Sequence, residues 1–243
     1  MYDIHTTRLQ ACDEHGCEDM GDSVWERRDK EPRQGLSVRR IVRAAIELAD
    51  ADGLAAVSMA RVAERLGFTT MSLYRHVRSK DELLLLVVDT LAEPPACLAE
   101  PVDGWRAGME RWCREHLAAL RRHPWVLQVQ ASAPPSTPNQ LAWMDHGLRV
   151  LEETPLSPDD RMSVLLLCTG FVMSQARFTV DVSDQAERDY GALLQRTVDA
   201  ERYPALRRVV DAGTFGAAGA DQDHDFTFGL ARLMDGVERL VRG

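Results

Sequence analysis

Apolar side chains recur every three or four positions along most of this chain, and no convincing alternation of β-branched and aromatic residues is bounded by turns. That period predicts helices and not strands. Val38, Ile41, Ala45, Leu48 and Ala49 share one face of a helix over 37–52, with Ser37 as N-cap and Gly53 after its end. Ser58 opens a second helix carrying Val62, Ala63 and Leu66, closed by Gly67. A very short helix follows over 70–77, with Leu66, Leu73 and Val77 forming an apolar underside to the pair. Ser79 stands three ahead of Glu82, the spacing of a capping box, and starts a helix that buries Leu83, Leu84, Val87, Val88 and Leu91.

Pro94 and Pro95 end that helix within the breaker-rich stretch 93–104 and mark a domain boundary. The expected organisation is an arm over 1–34, a small helical domain over 35–92 and a larger helical domain over 93–243. In the last, helices are expected over 105–122, after Pro124, and over 139–153, 159–180, 185–201, 204–212 and 222–241, with a loop at 133–138 and a Gly/Ala-rich stretch at 213–221. The final helix repeats apolar residues at Phe226, Leu230, Leu233, Val237 and Leu240, a narrow seam of the kind that packs on other helices. Met162, Leu166, Thr169 and Met173 form a similar face on the helix over 159–180. Two such faces predict a homodimer interface of two helices from each chain; the alternative is that both are satisfied within one chain. The fold class is all-α.

Composition adds limits. The chain has 243 residues, 45% of them hydrophobic, which suits a globular protein with a sizeable core. The longest apolar stretch, Val164 to Met173, falls well short of the about 20 residues that span a bilayer, so no membrane partner is expected. The first thirty residues hold no apolar segment of a secretory signal, and the five scattered cysteines suit a reducing compartment. A cytoplasmic protein is expected. The net charge of −9 argues at first against nucleic acid, but it is unevenly spread. Residues 1–34 carry net −4, 35–92 net +1 and 93–243 net −6. From Ser58 to Lys80, Arg61, Arg65, Arg75, Arg78 and Lys80 face Glu64 alone. A basic island in an acidic chain is what a local polyanion site needs, although a solvated helix face has the same composition.

A helix of about eight residues, a tight turn at Gly67 and a still shorter helix cannot form a core alone; a helix-turn-helix gives a reason for their shortness. Its second helix presents N-terminal side chains to base edges in the major groove, about 12 Å wide. Thr69, Thr70, Met71 and Ser72 occupy that end, and Tyr74, Arg75, His76 and Lys80 follow within reach of phosphates, Arg75 also of a guanine edge.

The runs Ile41–Leu48, Gly53-Leu54, Ser58–Ala63, Leu66-Gly67 and Met71–Val77 resemble the N-terminal domain of the TetR family of bacterial one-component repressors. The likeness covers about residues 36–92. Trp105, His123–Trp125, Pro138-Asn139 and Asp225–Leu233 resemble that family's tetracycline-repressor-type C-terminal domain. The resemblance implies a repressor that binds a palindromic operator as a homodimer and leaves it when a small-molecule effector binds. It places Ser58, Met59 and Arg61, with Thr69, Thr70, Met71, Ser72, Tyr74, Arg75, His76 and Lys80, where family members contact DNA. Ala60 stands where some members carry a base-reading arginine, so their operator cannot be carried over.

Met109, Trp112, Trp125, Trp143, Phe171 and Phe178 concentrate large apolar side chains in the second domain, as helical core or as the wall of an effector pocket. His116, Gln128, Ser174 and Arg177 are candidates to orient such an effector, and Ser174 and Arg177 share a helix face with Phe178. No cofactor and no metal are expected: Cys12, His15 and Cys17 match no zinc spacing, and no histidine can be assigned to a tetracycline–magnesium complex. Arg27, Arg28, Lys30 and Arg33 read as a solvated linker or as contacts along the DNA backbone. The nucleophile-elbow, zinc-protease and phosphate-loop motifs are all absent, so an enzyme is not expected. An activator, or a regulator with no ligand, remains open beside a repressor, and a helix-turn-helix-bearing enzyme is the remote alternative.

Overall fold

The structure is a computed structural model that describes residues 35–130, 135–181, 184–215 and 222–243; the N-terminal arm and most of the Gly/Ala-rich stretch lie outside the described residues. Among the described residues there are eleven α-helices and no strand: α1 (Val38–Asp52), α2 (Met59–Leu66), α3 (Thr70–Tyr74), α4 (Lys80–Leu91), α5 (Gly104–Arg122), α6 (Val126–Gln130), α7 (Pro138–Leu151), α8 (Pro158–Asp181), α9 (Asp184–Thr197), α10 (Pro204–Asp211) and α11 (Gln222–Arg242). Among them, none is long and apolar enough to cross a membrane. The chain divides into two compact units, one made of the residues up to Glu93 together with Gln128–Leu141, the other of Pro94–Leu127 and Ala142–Gly243.

In the first unit α1, α2, α3 and α4 each begin on a hydroxyl. Ser37 Oγ accepts from the Arg40 N–H, Ser58 Oγ from Arg61, Thr69 Oγ1 from Ser72 and Ser79 Oγ from Glu82, so each start is set by a side chain already visible in the sequence. The capping box at α4 differs from the expected form in one detail. The Glu82 carboxylate reaches past Ser79 and accepts from the Arg78 N–H, fastening the turn that precedes the helix. Gly67 ends α2 in the left-handed region, φ +73°, with its N–H bonded to the Ala63 and Glu64 carbonyls. The third helix is shorter than 70–77. It stops at Tyr74, and His76 and Val77 turn back to bond the Leu73 carbonyl. Ile41, Val42 and Ala45 from α1, Val62 and Ala63 from α2, Leu73 and Val77, and Leu83, Leu86 and Val87 from α4 form the core.

The second unit is built on α5 and α8, with α11 packed on both. Met109, Trp112, Cys113 and Leu117 of α5 meet Leu165, Cys168, Val172 and Ala176 of α8 and Phe226, Leu230, Met234 and Val237 of α11 in one buried layer. Glycine allows a close approach here: a Cβ on Gly147 of α7 would run into Leu165 and come within 3.2 Å of the Trp112 ring. Arg106 ties α5 to α11 through Asp235 and Glu238, both at 2.8 Å.

The expected dimer seam is corrected here. Phe226, Leu230 and Val237 are buried inside their own chain, where Met234 joins them, because the helix turns its apolar stripe toward α5 and α8. Met162, Thr169, Met173 and Leu233 are half-buried. Of the seam residues only Leu166, at 59% exposure, and Leu240 stand outside, joined by Leu167 and by Phe228 at 60%.

Alanine at Gly67 meets no atom within 4 Å, so its cost is backbone conformation alone. Gly67→Ala should destabilise the protein by about 1–2 kcal/mol, seen as a lower urea midpoint at constant slope; an unchanged midpoint would show that the turn accepts a Cβ.

Candidate nucleic-acid interface and effector site

The surface built by α2, α3 and the start of α4 follows from the burial of Leu73 and Val77. With those two side chains inside, Met71 at 71% exposure, Tyr74 at 46%, Thr69, Arg75 and Lys80 must point outward, while Thr70, Ser72 and His76 lie half-buried between. The Thr69 and Ser72 hydroxyls bond one another at 2.9 Å, so the cap of α3 also orders two of the groups presented at its N-terminal end.

Two sequence expectations change. Met59 is 6% exposed: it faces the core from the first turn of α2 and offers no side chain to a duplex. Its neighbour Ser58 is occupied as a helix cap. The basic island is also partly matched by acids outside its own stretch, since Arg61 bonds Asp52 at 2.7 Å and Arg65 bonds Glu47 at 3.3 Å. Both pairs are solvent-exposed and therefore weak, of order 1 kcal/mol or less, so either arginine can exchange its carboxylate for a phosphate. Among the described residues Arg75 and Lys80 enter no ion pair, which concentrates positive charge at the end of α3 and the start of α4.

In the second unit the structure draws together three of the expected effector residues. Trp112 and His116 lie one helical turn apart on α5, and Trp143 comes from α7. The His116 ring stacks on Trp143 at 4.9 Å and 27°, and Trp112 stands edge-on to both, at 5.0 and 5.8 Å. The Trp112 indole N–H donates to the Trp143 carbonyl at 2.9 Å, which locks the two helices in register. Met109 is fully buried one turn earlier on α5. His116 Nδ1 is buried with no hydrogen-bond partner among the described residues. Burial pushes its pKa down to about 4, so at neutral pH the imidazole is uncharged. An uncharged ring nitrogen in an aromatic wall can donate to or accept from a polar group on a flat ligand, depending on tautomer.

The other candidates are dispersed. Phe171 stacks on Phe226 at 5.5 Å, with Gly229 close enough that a Cβ there would meet the Phe171 ring at 2.7 Å. Trp125 is buried beside His123, and Gln128 is exposed and belongs to the first unit. Ser174 and Arg177 face solvent from α8, so they are not the orienting pair; the side chain of Phe178 lies outside the described residues. Phe226, expected at a dimer seam, instead completes the Phe171 stack and lines a cleft of about 510 Å³ between α5 and α11, with Leu117, Ala118, Arg114, Arg121 and Thr227. Gly147 was not anticipated. Its signal was a glycine one helical turn after Trp143, the place where Trp112 needs room. Among the described residues no three His, Cys, Asp or Glu side chains come together as a metal site.

Comparison with known proteins places both halves. Residues 41–87 match the model of bacterial regulatory proteins of the tetR family, and residues 98–241 match the tetracyclin repressor-like C-terminal domain. The chain is similar to the HTH-type transcriptional repressor DrrR1 of Streptomyces coeruleorubidus, 38% identical over 233 residues that cover 90% of this chain and 84% of that one. It is also 30% identical over 212 residues to the class A tetracycline repressor protein from transposon 1721 of Escherichia coli, covering 84% and 91%. Among solved structures, the Streptomyces coelicolor TetR family protein ActR in complex with actinorhodin superposes with a TM-score of 0.72 at 26% identity, covering 86% and 99%.

The depressed pKa of His116 has a signed consequence. Above about pH 6.5 the ring is neutral in both folded and unfolded chains and contributes no pH dependence. As pH falls from there to about 4, the unfolded chain takes up a proton that the folded one refuses, so stability drops, by up to about 3 kcal/mol, and the effect ends once both states are protonated. Urea denaturation across pH 7 to 4 should show this loss in the wild type and a smaller one in His116→Phe; identical pH profiles would mean that the ring is solvated.

Proposed function

Because this chain belongs to the tetR family of bacterial regulatory proteins, we propose that it is a transcriptional repressor: a homodimer that holds a palindromic operator and releases it when a flat aromatic molecule binds the second unit. The observation that carries the DNA half is the outward face of α3. Thr69, Thr70, Met71, Ser72, Tyr74 and Arg75 stand on a helix short and narrow enough for the major groove, held from beneath by Leu73 and Val77. Arg75 and Lys80, which enter no ion pair among the described residues, supply charge for phosphates or a guanine edge.

Dimerisation rests on α8. A helix covered on one face by its own chain yet carrying Leu166 and Leu167 on another has an apolar surface that water disfavours, and Phe228 and Leu240 of α11 extend it. A second copy of the chain covers that surface by two-fold symmetry, so the two recognition helices meet half-sites one DNA turn apart or more. The effector half rests on the Trp112–His116–Trp143 cluster and on His116 Nδ1, which has no hydrogen-bond partner among the described residues. A buried polar atom without a partner costs about 1–3 kcal/mol, and a ligand hydroxyl or carbonyl recovers it. The ActR complex with actinorhodin supports a small-molecule effector on this fold.

The deciding experiment is selection of duplexes from a random-sequence library by the full chain, then release of the selected duplex by added ligand, with actinorhodin as first probe. A palindromic consensus is expected; enrichment of nothing over background would reject operator binding. On that duplex, Arg75→Ala and Thr70→Ala should each weaken specific binding by about 1–3 kcal/mol, and Lys80→Ala should lower the salt slope by about 1. Fluorescence anisotropy at several salt concentrations separates the two effects. A separate expectation concerns assembly. Leu166→Glu together with Phe228→Glu changes side chains exposed within one chain, so the variant should fold yet sediment as a monomer; a dimer in sedimentation equilibrium would place the interface elsewhere.

A further inference from the structure

Asp89 lies in the last turn of α4, is completely buried, and is bonded three times by one residue of α7, Asn139. The Asn139 N–H donates to Oδ1 at 2.7 Å, and Asn139 Nδ2 donates to the Asp89 carbonyl at 2.8 Å and to Oδ2 at 3.2 Å. All of this lies within the first unit, at the start of α7. Asp89 supplies negative charge at a helix N-terminus whose own first turn has no acidic residue. Yet α7 does not need it in order to begin. Gln140 Oε1 already accepts from the Ser136 and Thr137 N–H groups, at 3.2 Å each, and from the Thr137 hydroxyl at 3.1 Å. Nor does stability require a buried carboxylate, since well-packed apolar residues often hold two elements as well or better. What the bonded pair adds is register: apolar surfaces slide on one another, whereas three directional bonds between two residues do not.

The two helices so joined are the ones whose register matters. Four residues beyond Asn139, α7 carries Trp143, whose carbonyl receives the Trp112 indole N–H and whose ring stacks on His116. At its other end α4 begins on Ser79, two residues after Val77, the buried anchor of the recognition segment. We propose that Asp89 and Asn139 are a positioning pair that couples the aromatic cluster to the recognition helix, by making α7 and α4 shift together. This rests on the operator-binding reading above. Breaking the pair leaves the groups that touch DNA and the aromatic cluster in place and removes the communication between them.

Coupling is reciprocal, so the test needs no effector: binding of DNA must be felt at α7. The probe is the duplex selected by the wild-type full chain, and the readout is deuterium exchange of the α7 amides over 142–147 with and without duplex. In the wild type the duplex should change that exchange. In Asp89→Asn and Asn139→Ala the change should be lost, with duplex affinity within about threefold of wild type, below the roughly 5- to 150-fold range of ordinary couplings. The swap Asp89→Asn with Asn139→Asp restores a side-chain donor opposite a side-chain acceptor and keeps the residue-139 N–H bond, while losing the bond to the residue-89 carbonyl, so it should restore the response in part; it also serves if a single variant fails to fold. An α7 response to duplex that persists in the single variants, or that is missing from the wild type, overturns the proposal. A swap that folds but does not respond assigns the loss to general loosening and overturns it too. A wild-type chain that selects no duplex defeats the operator reading itself, which is a different failure from selected duplex with a silent α7.

Discussion

A helix of five residues, Thr70–Tyr74, has no stability of its own, because helix nucleation costs more than so few hydrogen bonds return. Everything about the first unit follows from holding that helix from outside. Thr69 caps it, Gly67 turns the chain into it, Leu73 and Val77 anchor it, and the Glu82 carboxylate fastens the turn that leads away from it to α4. The anchors are worth about 1.5–3 kcal/mol each, enough to fix the helix while its outer side stays bare. A recognition element must be presented and not covered, and anchoring through its underside is how so short a segment meets both demands.

The same division between covered and uncovered faces governs the second unit. One face of α8 is satisfied inside the chain by α5 and α11, and Leu166 and Leu167 on another are not. The interior holds a different kind of incompleteness. Among the described residues His116 is buried, uncharged at neutral pH and short of one hydrogen bond, beside two indoles. An exposed apolar face invites a second protein surface, whereas an unsatisfied polar atom in an aromatic wall invites a small molecule. Under the proposed reading, these two deficits of different chemistry separate assembly from response within one small domain.

Charge follows a similar logic. The acidic excess belongs to the arm and to residues 93–243, and the positive face is narrower than the island from Ser58 to Lys80 suggests. With Arg61 and Arg65 leaning on Asp52 and Glu47, the unneutralised cations sit beside the recognition helix. Weak exposed pairs hold the outer arginines without committing them. Acidic surface elsewhere disfavours indiscriminate attachment to DNA.

Helix number, most caps and the helix-turn-helix were legible in the sequence because they are local: Ser37, Ser58 and Ser79 act within three residues of themselves, and Gly67 on its own backbone, while the cap at Thr69 came from the structure. The outward residues of α3 were legible for the same reason, since five residues around Leu73 leave little freedom about which side is buried. Long-range contacts were not. Heptad spacing in α11 could not say whether its stripe meets the same chain or another, and the fold turned Phe226, Leu230 and Val237 inward. Likeness assigns Met59 to DNA, while its burial is a matter of tertiary packing. The meeting of Trp112 and His116 with Trp143, the space left by Gly147, and the bonding of Asp89 to Asn139 across fifty positions are products of tertiary structure alone. Periodicity tells which face of a helix seeks cover; only packing decides what covers it.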